Sequence, residues 1–200
     1  FGSGAPLLLI GEQNSAGFLG IAHTRWATHG RPSEDNAHPH MSGNGLAVVH
    51  NGIIENFQEL KDELEADGYA FTSQTDTEVI AHLIHRALKD TGNLVAAVRA
   101  SVARLHGAYA LGVIDRNEPD RLVAVRSGSP LVVGLGIDEN YVASDQLALL
   151  PVTNRFIFLE EGDLVDVTVD AVTITDADGE PAERTVHELD GTHEDADKGP

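Results

Sequence analysis

The first residues suited to chemistry lie in the segment 23–30, His-Thr-Arg-Trp-Ala-Thr-His-Gly. A short apolar run leads into Arg25 and Trp26, and a Thr-His-Gly turn follows them. An arginine guanidinium can hold a carboxylate through two parallel charge-assisted hydrogen bonds, and the turn adds hydroxyl and amide donors beside it. The segment therefore predicts a carboxylate site, although an arginine paired with a structural carboxylate would give the same pattern.

A second group is the pair Asn51-Gly52, which follows the apolar strand candidate 46–49. The asparagine side chain and the glycine backbone amide can direct two donors at one oxygen, as an oxyanion hole requires. Asn-Gly is also typical of a tight turn with positive φ. We therefore predict a turn here, and a plain hairpin is the alternative to an oxyanion hole.

The third group, Thr75-Asp76-Thr77-Glu78, has the composition of a helix start. The Asp76 carboxylate could bind a substrate ammonium if it faces a pocket, or it could simply cap the helix. The pairs His38-Pro-His40 and His82-x-x-His85 have conceivable metal-ligand spacing, but no third ligand can be identified for either. No glycine-rich phosphate-binding motif is present, so we predict neither a metal nor a cofactor.

The elements that would position these residues follow from the periodicity of apolar side chains. Helices are predicted over 56–67, from Thr75 onward and over 93–105, and residues 28–45 are predicted to form a loop. Short strand candidates precede the helices, and a series of strands between 108 and 175 follows them. This order indicates an α+β fold rather than alternating β and α units.

The composition limits the classes of partner. Acidic residues number 32 against 13 basic ones, for a net charge of −19, so we predict no binding to nucleic acid or to a membrane surface. A soluble acidic protein and a salt-adapted source are both compatible with this charge. The chain contains no cysteine, which is consistent with a cytoplasmic location.

Together these segments resemble one family, the glutaminase domains of class II glutamine amidotransferases. Within that class the sequences of these segments are most similar to those of the glutamine–fructose-6-phosphate aminotransferases, also called glucosamine-6-phosphate synthases. The resemblance covers residues 21 to about 168. The matching segments begin at Thr24 (Thr-Arg-Trp-Ala-Thr-His-Gly), Asn36 (Asn-Ala-His-Pro-His), His50 (His-Asn-Gly-Ile-Ile-Glu-Asn), Thr75 (Thr-Asp-Thr-Glu), Arg126 (Arg-Ser-Gly-Ser-Pro-Leu), Ala143 (Ala-Ser-Asp-Gln-Leu-Ala-Leu-Leu-Pro) and Phe156 (Phe-Ile-Phe-Leu-Glu-Glu-Gly-Asp).

The resemblance implies an N-terminal-nucleophile hydrolase fold, a four-layer α/β/β/α sandwich of two antiparallel sheets. It implies that the substrate is L-glutamine, whose ammonia is passed to a C-terminal sugar-isomerase domain that makes glucosamine 6-phosphate from fructose 6-phosphate, in a full-length homodimer. It implies that Arg25, Thr28 and His29 bind the α-carboxylate of glutamine and that Asp76 binds its α-ammonium group. Asn51 and Gly52 would form the oxyanion hole, and Trp26 would lie on a loop that gates the site.

One departure from the family concerns the nucleophile, which is an N-terminal cysteine in the family, whereas residue 1 here is Phe. We therefore expect three regions: an atypical segment 1–20 without the Cys-led strand, a glutaminase domain 21–175, and an acidic linker or tail 176–200. We also expect this polypeptide alone not to hydrolyse glutamine. A non-catalytic glutamine-sensing or interaction module is the alternative function.

Overall fold

The fold is known from a computed structural model, which describes residues 7–8, 19–23 and 33–189. The helices are α1 Phe57–Ala66, α2 Asp76–Thr91 and α3 Leu94–Val102. The strands are β1 Leu7–Leu8, β2 Ala22–His23, β3 His40–Ser42, β4 Leu46–Ile54, β5 Gly107–Asp115, β6 Leu122–Ser127, β7 Val132–Leu135, β8 Asn140–Ala143, β9 Arg155–Phe158, β10 Leu164–Val167, β11 Val172–Thr175 and β12 Val186–Glu188. None of the described helices is long and apolar enough to span a membrane.

The strands form two antiparallel sheets. Sheet I has the order β12-β9-β7-β8-β1-β2, and sheet II has the order β11-β10-β6-β5-β4-β3. Along each strand, successive side chains point to opposite faces. One face of each sheet therefore meets the other sheet, in an apolar layer that includes Val49, Ala124, Val133, Val142 and Ile157.

The other face of sheet II is covered by the three helices, which contribute Leu64, Ile80, Ile84 and Val98 to a second core. The outer face of sheet I buries Phe156 under Leu149, next to the short 3-10 helix Gln146–Ala148. The predicted α+β class and the pair of packed antiparallel sheets are confirmed. Within the described part of the chain, that 3-10 helix is all that represents a helical layer on sheet I.

The longest helix, α2, begins and ends at residues that satisfy its terminal backbone groups. The Thr75 side chain accepts a hydrogen bond from Glu78 N, and Gly92 closes the helix in the left-handed region at φ 63°. Val79, Ile80 and Ile84 are fully buried on its inner face. The predicted start of this helix at Thr75 is therefore confirmed by the capping hydrogen bond.

The predicted turn at Asn51-Gly52 is wrong. Strand β4 continues through both residues to Ile54, and Gly52 pairs with Tyr109 on β5. The glycine does have a positive φ, 131°, but the reason is close packing: a Cβ on Gly52 would lie 2.1 Å from the Ala108 carbonyl oxygen. The loop predicted over 28–45 is also interrupted, because β3 pairs with β4.

Residues 176–189, which begin the predicted tail, pack on the domain. Strand β12 pairs with β9 at the edge of sheet I. Just before it, Arg184 donates from Nε to Asp163 Oδ2 (2.9 Å) and from Nη2 to Asp163 Oδ1 (2.7 Å). Asp163 is fully buried, and Arg184 supplies the cationic partner of its carboxylate through these two charge-assisted hydrogen bonds.

Replacing Arg184 with alanine should lower the urea midpoint of unfolding, because the buried Asp163 carboxylate would lose its cationic partner. Glu183→Ala, at the exposed neighbouring position, is the matched control and should leave the midpoint unchanged. Equal midpoints for the two variants would show that the contact between Arg184 and Asp163 does not stabilise the domain.

Candidate functional site

The predicted oxyanion pair lies near the C-terminal end of β4. Asn51 pairs with Ala110 and follows Val49 by two residues, so its side chain points from sheet II toward sheet I. There its Oδ1 atom contacts Nε2 of His23, at the end of β2, at 2.5 Å. The two sheets thus meet through a polar contact at one end of an otherwise apolar layer.

Asp76 lies at the same end of β4 and does not cap its helix, because Thr75 provides the cap. The residue is 3% exposed, and its Oδ2 atom accepts a hydrogen bond from the backbone N–H of Ile54 at 2.9 Å. Tertiary structure therefore brings Asp76 to within two strand residues of Gly52. The N-terminus of α2, with its partial positive charge, stabilises the carboxylate in this buried place.

His50 lies on the opposite face of β4 from Asn51, directed toward α2. Its Nδ1 atom is 3.0 Å from Thr77 Oγ1 and 3.8 Å from Asp76 Oδ1. His38 packs beside it: the backbone N–H of His50 donates to His38 Nδ1, and His38 Nε2 is 3.4 Å from Thr77 Oγ1. His50 thus lies beside the Asp76 carboxylate, and His38 contacts the neighbouring Thr77.

Four predicted site residues, Arg25, Trp26, Thr28 and His29, lie outside the described residues. The structure does show that His23, which precedes Arg25 by two positions, contacts Asn51. No role was predicted for His23 or His50, and His38 was considered only as half of a metal-ligand pair. The sequence does show many histidines near the motifs. Their roles depend on ring contacts, which the spacing of residues in the sequence does not reveal.

The histidine pairs considered as metal ligands make other contacts. His40 Nε2 is 2.9 Å from Thr75 Oγ1, whereas His82 and His85 both place Nδ1 within 3.0 Å of Ser42 Oγ. Among the described residues, no group of three or more His, Asp or Glu side chains is arranged to hold a metal ion. These rings join β3 to the start and the middle of α2.

Glu78 is a second buried carboxylate in the first turn of α2. It accepts hydrogen bonds from Thr72 N at 2.8 Å and Ser73 N at 2.6 Å, and lies 3.7 Å from His82 Nε2. Burial by itself raises the pKa of this carboxyl group, but the bonds from His82, Ser73 and Thr72 outweigh it and hold the pKa well below the ordinary value of 4.5. Glu78 is therefore ionised and ties the loop before α2 to the helix.

Substituting glutamine for Glu78 should destabilise the domain by about 2 kcal/mol near neutral pH, since a buried charged acceptor is lost. Because the folded pKa is below the unfolded one, this stabilisation is complete above the unfolded pKa and is lost as pH falls toward the folded pKa. Urea unfolding from about pH 7 down to about pH 3.5 should therefore show the gap between wild type and variant shrinking below about pH 4.5. The exposed Glu59→Gln is the control; a gap independent of pH would contradict the assigned ionisation.

Comparison with known sequences identifies the class to which this fold and site belong. The family described as "Glutamine amidotransferase domain" matches residues 23–151, a range that includes Asn51, Gly52 and Asp76. The chain belongs to this family of glutamine amidotransferase domains.

The curated relatives are more specific. The chain is 62% identical over 190 residues to glutamine–fructose-6-phosphate aminotransferase [isomerizing] of Acinetobacter baylyi, a match that covers 95% of the chain and 31% of that protein. It is 60% identical, with the same coverage, to the enzyme of that name from Pseudomonas putida. The chain thus spans about a third of the length of the relatives it matches.

Solved structures support the fold assignment. Glutamine phosphoribosylpyrophosphate amidotransferase from B. subtilis superposes with a TM-score of 0.67 at 29% identity, over 80% of this chain and 35% of that one. A structure of "the allosteric regulatory enzyme of purine biosynthesis" gives a TM-score of 0.69 at 25% identity, over 88% of this chain and 43% of that one. The predicted N-terminal-nucleophile hydrolase fold is confirmed at the level of its two-sheet sandwich.

Proposed function

We propose that this domain binds L-glutamine and is the glutaminase part of an enzyme that makes glucosamine 6-phosphate from fructose 6-phosphate. The observation that carries the proposal is the hydrogen bond that holds the Asp76 carboxylate on the backbone N–H of Ile54, two residues along β4 from Gly52. The neighbouring Asn51 contacts His23, on the strand that precedes Arg25 in sequence. The names of the curated relatives support the choice of sugar substrate.

Glutamine presents three groups to a protein: an α-carboxylate, an α-ammonium and a side-chain amide. Asp76 supplies the negative charge for the ammonium, in a buried place where an ion pair is screened little by water. Arg25, with Thr28 and His29, takes the carboxylate in this proposal. A zwitterionic substrate needs a cation and an anion in its binding site. In this proposal the segment 23–30 supplies the cation, Arg25, and the start of α2 supplies the anion, Asp76.

Asn51 and Gly52 then face the amide carbonyl of the substrate. During attack this oxygen becomes negative, and donors already in place stabilise it without reorganisation. In the proposal the asparagine side chain and the glycine backbone N–H are the two donors. A side chain larger than hydrogen at position 52 would push β4 from β5, because of the 2.1 Å approach to the Ala108 carbonyl oxygen.

The attacking group is the part of the chemistry that these 200 residues do not supply, since they contain no cysteine. We propose that the polypeptide with this sequence positions glutamine without hydrolysing it. A glutamine-sensing or interaction module that keeps the pocket and lacks the thiolate is the second candidate function. Trp26 is proposed to lie on the loop that shields the site and gates the passage of ammonia.

The remaining parts of the proposal concern the larger protein. The matched relatives are about three times as long as the chain, which leaves room for a C-terminal sugar-isomerase domain that receives the ammonia. The segment 176–200 would begin the connection to it, and the full-length protein would be a homodimer. A cytoplasmic location stays a prediction.

Isothermal titration with L-glutamine tests the binding site. Asp76→Asn keeps an acceptor for the Ile54 N–H but removes the charge, and should weaken binding roughly 10- to 100-fold; Arg25→Ala should cost several kcal/mol at most, since it removes the other charged partner. The exposed Asp90→Asn is the matched control and should bind as the wild type does. Unchanged affinity in Asp76→Asn and Arg25→Ala would remove both assignments.

An ammonia assay separates binding from catalysis. The purified 200-residue polypeptide should release no ammonia from glutamine above the rate of a buffer control, because it lacks the thiolate nucleophile. Heat-denatured polypeptide gives the background. Hydrolysis at a rate typical of glutaminases would show that another residue attacks the amide, and would end the claim of inactivity.

A further inference from the structure

The direction of the Asn51 amide decides whether this residue can serve an oxyanion. A side-chain amide carries an acceptor oxygen on one branch and a donor nitrogen on the other. Only the nitrogen stabilises a developing negative charge, and a reversed amide would repel it. Some neighbouring group must therefore distinguish the two branches.

The neighbour at the oxygen branch is His23. Its Nε2 atom lies 2.5 Å from Asn51 Oδ1, and an amide oxygen can only accept a hydrogen bond. The imidazole must consequently carry a proton on Nε2. With that proton on Nε2, His23 binds the oxygen branch and directs the nitrogen branch away from β2.

The orientation of His23 is in turn held by His38. The two rings stack at 4.2 Å between centroids, with an angle of 19° between their planes. His38 is itself held between β4 and α2, because its Nδ1 atom accepts from the His50 backbone N–H at 3.3 Å. A backbone N–H can only donate, so Nδ1 of His38 is unprotonated.

The backbone N–H of His50 can only donate, and this fixes the positions of the protons on His38 and Thr77. A neutral His38 with an unprotonated Nδ1 carries its proton on Nε2, which faces Thr77 Oγ1. The Thr77 hydroxyl accepts this bond and can donate its own proton to His50 Nδ1, at 3.0 Å. A ring of hydrogen bonds among His38, Thr77 and His50 thus supports the histidine that is stacked on His23.

We propose that His23 is a positioning residue for the oxyanion hole, which fixes the donor direction of the Asn51 amide through its Nε2–H group. This inference rests on the proposed function for the role of Asn51, but the hydrogen bond itself does not depend on any ligand. His38 supports His23 by stacking on its ring and so holding the orientation of the His23 imidazole.

The tautomer of His23 is the most direct test. Long-range ¹H–¹⁵N NMR of the polypeptide at about pH 8, where an ordinary imidazole is neutral, should show His23 with its proton on Nε2. A proton on Nδ1 would mean that Asn51 donates to His23 with its nitrogen, and would overturn the proposal. This result can be read without glutamine.

Two substitutions of equal polarity separate positioning from packing. In His23→Gln the side-chain nitrogen can occupy the place of Nε2, whereas in His23→Asn the side chain is too short to reach it. The ¹⁵N-HSQC signals of the Asn51 side-chain amide should stay near their wild-type positions in His23→Gln and move in His23→Asn. Backbone amide signals report whether each variant is folded, and a coincident shift of Asn51 in both variants would contradict the proposal.

Ligand selectivity connects the hydrogen bond to function. His23→Asn should weaken L-glutamine binding about three- to tenfold, the effect of one hydrogen bond, and leave L-norvaline, which lacks the side-chain amide, unaffected; His23→Gln should restore the preference for glutamine. Equal losses for both ligands would mean that His23 is structural. If the wild type binds no glutamine, the proposed function fails, while the tautomer and the Asn51 signals still decide the role of His23.

Discussion

The site depends on the contact between the start of α2 and the end of β4. Asp76 reaches from the first turn of the helix to the backbone N–H of Ile54, and this bond helps to fix the position of the helix along the strand. With α2 in this position, Thr77 contacts His50 and His38, and His23, which is stacked on His38, contacts Asn51. A shift of the helix by one turn, about 5.4 Å, would move Asp76 away from the end of β4 that holds Asn51 and Gly52.

The concentration of charge at this helix start has a physical basis. Asp76 and Glu78 are both buried within one turn, where two carboxylates would normally be costly. Each is satisfied by backbone N–H groups, of Ile54 in one case and of Thr72 and Ser73 in the other. The helix N-terminus adds a favourable field to both. Glu78 holds the loop before the helix, whereas Asp76 binds the end of β4, two residues beyond Gly52 of the proposed oxyanion pair.

In the proposed function, substrate binding and attack on the substrate belong to different parts of the protein. The residues proposed to bind the ammonium and the oxyanion, Asp76, Asn51 and Gly52, lie on α2 and β4 within the matched range 23–151, whereas the resemblance places the nucleophile of the family on an N-terminal cysteine. The 200 residues contain no cysteine, so the match to the glutamine amidotransferase domain does not depend on that residue.

The α+β class, the capped start of α2 at Thr75 and the candidate residues Asn51, Gly52 and Asp76 could all be predicted from the sequence, since periodicity and capping act within a few residues. The turn predicted at Asn51-Gly52 was wrong. A positive φ at glycine arises equally from a turn and from a close backbone approach, and the packing of β5 on β4 distinguishes the two.

Contacts between residues distant in sequence required the tertiary structure. Arg184 was placed in a tail because its partner, the buried Asp163, lies far from it in sequence. The contacts of His23, His38 and His50 near the site could not be predicted either, because ring stacking and hydrogen-bond direction depend on where separate strands and a helix meet.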